Sequence, residues 1–139
     1  TFSVIADYYK GHQAILPKPP FVSMHVIKGG YGDGTEIKTT MRLMGQTYTY
    51  HQQVTEPEIG RILRETDLNS EEYSQFTVDP GPTPDCCNVT ITSYFVDPGG
   101  LKGAMMRLFH PIIVQRIFQN ELRNLAAYVR QHKATIHSS

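Results

Sequence analysis

With 139 residues, 40% hydrophobic and 19% charged, the chain has the size and composition of one globular domain, and its apolar runs are too short to span a bilayer. Thirteen basic residues offset thirteen acidic ones, so no net positive field exists to hold a nucleic-acid backbone. Two adjacent cysteines, Cys86 and Cys87, make neither a disulfide framework nor a four-ligand zinc site, and a reducing cytoplasm is the simplest compartment.

Residues Thr1 to Leu16 read as two short helices separated at Lys10-Gly11. Pro17, Pro19 and Pro20 end them and force an extended exit. Phe21 to Lys28 and Glu36 to Leu43 read as strands of a hairpin joined by the glycine-rich stretch from Gly29 to Gly34. In the second strand Ile37, Thr39, Met41 and Leu43 alternate with charged and polar residues and are predicted to face inward. A third strand is predicted from Gln46 to Glu56, ended by Pro57, with Tyr48, Tyr50, Gln52 and Val54 on one face. Arg61 to Thr66, Tyr73 to Val78 and Cys86 to Val96 complete the strand-like runs. The segment from Leu101 to about Gln131 has helical periodicity, in two apolar stripes that slip in phase near Pro111. A kink or a break is predicted there. Between Ile112 and Phe118 the helix is apolar nearly all round and needs cover on several sides.

Chemistry-bearing motifs are sparse. The Gly29 to Gly34 loop lacks the lysine and hydroxyl residue of a phosphate cradle and leads into a strand, which makes it a hairpin turn. The six histidines show no i,i+4 pairing, so no metal or cofactor is expected, and each reads as structural or solvent-facing. Cys87 reads as a small buried strand residue. Asp7 and Glu65 qualify as acid or base only if burial raises their pKa. No set of residues stands out as a catalytic constellation. Methionines and aromatic residues, by contrast, are concentrated on the sheet and the helix, and such adaptable or amphipathic side chains line apolar pockets.

Three segments carry a family resemblance: Val4-Ile5-Ala6-Asp7-Tyr8, the Gly32-Asp33-Gly34-Thr35-Glu36-Ile37-Lys38 entry to a strand, and Phe109 to Arg130. In that order they resemble the START-related polyketide cyclase and lipid-transfer (SRPBCC) superfamily. The resemblance spans most of the chain and implies an α+β helix-grip fold. In that fold a curved antiparallel sheet wraps a long C-terminal helix around a hydrophobic cavity. It further implies one domain over residues 1–139, with a first strand expected upstream of Thr1.

The leading functional expectation is binding of a lipid-like or polycyclic small molecule without catalysis. The wall candidates are Met41, Leu43, Tyr48, Tyr50, Phe95, Met105, Phe109 and Ile113. One alternative is a polyketide cyclase or dehydratase using Tyr50, Arg42 or a buried carboxylate in the same cavity. A further alternative is an interaction domain with a filled core, whose apolar helix segment mediates homodimerisation or docks on a partner protein.

Overall fold

Period-two alternation from Phe21 onward is realised as one six-stranded antiparallel sheet, each strand pairing with its sequence neighbours in the order β1 to β6. The computed structural model describes residues 1–43, 45–94 and 100–138, and side chains except those of 101–111 and 133–138. Its elements are α1 (Phe2–Ala6), α2 (Gly11–Ile15), β1 (Phe21–Lys28), β2 (Glu36–Leu43), β3 (Gln46–Glu58), β4 (Ile62–Asp67), β5 (Tyr73–Pro80), β6 (Cys87–Tyr94) and α3 (Gly100–Ser138). The two short helices, the curved sheet and the long terminal helix make up the helix-grip arrangement.

Strand register decides what the inner face presents. Met24 lies opposite Thr39, and Thr39 opposite Tyr50. On the next strands Val54, Glu65, Ser74 and Ser93 form one cross-sheet row. Because side chains alternate along a strand, Glu65 is committed to the same face as Leu63, which is fully buried. The core gathers Ile5, Tyr8 and Ile15 from the N-terminal segment, Ile37, Val54, Leu63 and Phe76 from the sheet, and Leu125 from α3. Asn124 on α3 donates from Nδ2 to the Ile15 carbonyl at 3.0 Å, tying the end of α2 to the long helix.

The glycine loop is a hairpin connection that also anchors the N-terminal helices. Tyr8 N–H donates to the Gly30 carbonyl at 2.9 Å and Gly32 N–H to the Ala6 carbonyl at 3.0 Å, so the loop holds Tyr8 from behind. Gly32 has φ +59°, and a Cβ there would meet the Glu56 carboxylate at 2.5 Å. That carboxylate accepts from Asp33 N–H at 3.0 Å while Asp33 Oδ1 accepts from Glu56 N–H at 3.0 Å. Asp7, the other carboxylate singled out from the sequence, accepts from the N–H groups of Tyr9 and Lys10 and serves as a turn cap.

Gly11 permits the close approach of α1 and α2: an added Cβ would lie 2.4 Å from the Val4 carbonyl oxygen. Gly11→Ala is therefore expected to lower stability by about 1–3 kcal/mol through overpacking against backbone. A urea melt of the variant overlaying that of the parent would contradict this tight approach.

Three local expectations need correction. β3 runs through Pro57 to Glu58, because a register shift between Thr55 and Glu58 puts the proline where no ladder hydrogen bond is required of it. No helix break occurs at Pro111, since α3 continues from Gly100 to Ser138 and loss of one N–H leaves the surrounding ladder in place. Cys87 is exposed, as is Cys86, because it opens the edge strand β6 opposite exposed Pro80: alternation gives it the face of Val89 and Ile91, but at a strand end beyond the core.

Candidate functional site

Between the inner sheet face and α3 lies a cavity of about 630 Å³, within the range that accommodates small organic ligands. Of the residues proposed from sequence as its wall, Met41 and Leu43 on β2, Tyr48 and Tyr50 on β3 and Ile113 on α3 do line it. Phe95 lies outside the described residues, as do the side chains of Met105 and Phe109. Met24, Phe21, Phe76, Val114, Ile117 and Phe118 extend the apolar wall. Arg42 is exposed and lines a neighbouring recess of about 390 Å³ together with Pro19, Pro20 and Arg116. This recess shares Leu43, Ile113 and Ile117 with the cavity wall.

At one end the apolar wall gives way to an ionisable cluster. His12 (1% exposed), Glu65 (7%) and Glu121 (3%) all line the cavity, contributed by α2, β4 and α3 respectively. The His12 ring is held from three sides. Its Nδ1 lies 2.7 Å from the Ile5 carbonyl, Tyr8 stacks on it at 4.4 Å between centroids, and Phe76 meets it edge-on at 5.4 Å. A carbonyl oxygen only accepts, so Nδ1 carries a proton and Nε2 is the nitrogen turned to the carboxylates. Nε2 lies 3.2 Å from Glu65 Oε1 and 3.8 Å from Glu121 Oε1. The same Glu65 Oε1 accepts the Tyr8 hydroxyl at 2.6 Å.

These contacts define the proton inventory. At 3.2 Å His12 Nε2 and Glu65 Oε1 stand at the long end of hydrogen-bonding distance, and the Tyr8 hydroxyl gives that oxygen a second, shorter contact. Burial, reinforced by the Glu65 charge and its hydrogen bond, pushes the Tyr8 phenol well above its ordinary pKa and keeps it a donor. Glu121 is likewise raised well above the carboxylate range, first by desolvation and then by Glu65. Its 3.8 Å approach to His12 is therefore the proximity of a neutral acid, longer than a hydrogen bond. A second polar feature sits on β2: Thr39 is 2% exposed and lines the cavity, yet its Oγ1 has no hydrogen-bond partner among the described residues. Tyr50, half-buried on the adjacent strand, is raised by burial and then by Glu72, Tyr48 and Asp67, and stays protonated at neutral pH.

His12 and Glu121 were not recognisable as site residues from their types alone, although their positions carried a signal. His12 precedes Ile15 and Leu16 at i+3 and i+4, the apolar face of α2. Glu121 falls between Ile117 and Leu125 at i+4 steps, on the buried stripe of α3. Glu65, singled out from the sequence, is buried. Among the described residues no group of His, Cys, Asp and Glu side chains is arranged to hold a metal ion, and no helix is long and apolar enough to cross a membrane.

Sheet, gripped helix and intervening cavity define a helix-grip protein of the SRPBCC superfamily. More narrowly, the chain belongs to the family described as polyketide cyclase / dehydrase and lipid transport, whose model matches residues 1–130. The solution structure of the KanY protein is similar at 26% identity with a TM-score of 0.78, over 93% of this chain and 86% of that one. The crystal structure of Ara h 8.0201 shares the fold alone, at 14% identity and a TM-score of 0.53, over 88% of this chain and 87% of that one. No curated protein matches the sequence.

Proposed function

We propose that the protein binds a hydrophobic small molecule, lipid-like or polycyclic, that carries an oxygen function at one end. The observation that carries this reading is the two-part wall of the 630 Å³ cavity. Methionine, leucine, isoleucine and aromatic side chains form one part of it, and the other part is polar, with the buried His12, Glu65, Glu121 and Thr39 joined by Gln46, Gln52, Asp67, Glu72, Ser74 and Ser93. Apolar enclosure supplies affinity, and a few fixed polar groups set orientation. Met41, Leu43, Tyr48, Tyr50 and Ile113 act as the wall.

Thr39 gives a direct test. Its buried hydroxyl is unpartnered, so Thr39→Val is expected to leave the ligand-free protein as stable or up to about 1 kcal/mol more stable. The same substitution removes a donor for the ligand's oxygen. Titrations with 2-tetralone and with tetralin, its hydrocarbon counterpart, are expected to show tighter binding of the ketone. Thr39→Val then narrows that preference by about 0.5–1.5 kcal/mol. Failure of both compounds to bind would contradict the reading.

The remaining expectations belong to the same proposal. The free thiols of Cys86 and Cys87 suit a reducing compartment. The edge strand β6 offers backbone groups with which a second copy of the chain would pair.

A further inference from the structure

We infer that His12, Glu65 and Glu121 form a proton-transfer site that interconverts the keto and enol forms of a hydrophobic ketone bound in the cavity. The inference rests on the binding reading and adds chemistry to it. Three observations carry it. The groups come from three separate elements, α2, β4 and α3, and meet on the wall of the cavity. Neither Glu65 nor Glu121 is neutralised by a lysine or arginine among the described residues, so they are not members of a structural ion-pair network. Finally, His12 Nε2 stands 3.2 Å from Glu65 Oε1 and so holds that carboxyl group in place, with Glu121 Oε1 3.8 Å from the same nitrogen.

The step balances within these side chains. The Glu65 carboxylate takes a proton from the carbon next to the ketone, and the C–H electron pair becomes the new C=C bond. The carbonyl π pair moves to oxygen, which takes the proton of the Glu121 carboxylic acid. Glu65 is then protonated and Glu121 ionised, and proton exchange with solvent returns both to their starting forms. Re-ketonisation reverses the sequence, with no net redox change and no co-reactant. Pairing a carboxylate base with a second carboxyl group held neutral by its apolar surroundings is an established way to enolise a carbonyl compound. Deep burial keeps Glu121 in that neutral form.

The test uses the full chain with 2-tetralone in D₂O, following loss of the α-proton signals by ¹H NMR while saturation transfer reports binding. Wild-type protein is expected to accelerate exchange by about 100-fold or more over buffer. Glu65→Gln and Glu121→Gln, each with its fold verified by circular dichroism, are expected to bind the ketone and exchange near the buffer rate. Bound ketone exchanging at the buffer rate in the wild type would overturn the proton-transfer site and leave the binding reading standing. Undiminished exchange in a folded Glu65→Gln variant would overturn it as well. Absence of any saturation transfer would overturn the binding reading and this inference together.

Discussion

His12→Ala is expected to lower the unfolding free energy by about 3–5 kcal/mol, the loss that follows when one partner of a buried ionisable pair is removed. The reason lies in what the ring holds. Without it the Ile5 carbonyl loses its donor, Glu65 loses its 3.2 Å contact with Nε2, and the packing surface between Tyr8 and Phe76 becomes a void. Tyr8 would still donate to Glu65, so one of its two partners remains. Chemical denaturation of parent and variant at neutral pH measures the difference. A loss under about 1 kcal/mol would mean that His12 packs as an ordinary core residue and that Glu65 is served by other groups.

Glu121 is expected to make the protein less stable as pH rises. Burial raises its folded-state pKa above the ordinary carboxyl value that it recovers on unfolding. Below that ordinary value both states are protonated and the group contributes no pH dependence. Above it the unfolded chain releases a proton that the folded protein keeps, and stability falls by at most about 1.4 kcal/mol per pH unit until the raised folded value is reached. Glu121→Gln preserves shape and removes the titration. The variant is therefore expected to match the parent near pH 4 and to exceed it progressively towards pH 8 in thermal melts. Around this carboxyl stand Tyr8 from the α1–α2 segment, His12 from α2 and Glu65 from β4, and the substitution leaves their own linkage in place. Parallel stability curves for the two proteins across that range would contradict a raised Glu121.

The sheet was legible because its signal is local. Alternation in Glu36–Leu43 is enough to assign Ile37, Thr39, Met41 and Leu43 to one face, and the structure puts Ile37 and Thr39 in the interior and Met41 and Leu43 on the cavity wall. The ionisable cluster was not legible in the same way, because its members are separated by dozens of residues in sequence and meet only through the grip of the sheet on α3. Glutamate and histidine on short or mixed segments ordinarily face solvent, so residue type argued against His12 and Glu121 while position argued for them. Cys87 failed for the opposite reason: a strand cysteine is usually buried, but this one sits at the very start of an edge strand, two residues before Val89 meets the core. Pro57 and Pro111 show the limit of breaker residues. A register shift absorbs one and the helical ladder on either side carries the other.

The most direct test of the ligand-binding account is native mass spectrometry of protein purified from its own host, followed by denaturing extraction of whatever accompanies it. The expected result is a stoichiometric mass increment from a hydrophobic molecule bearing at least one oxygen function, released on unfolding. An apo mass that persists after exposure to fatty acids, sterols and polycyclic ketones would contradict it.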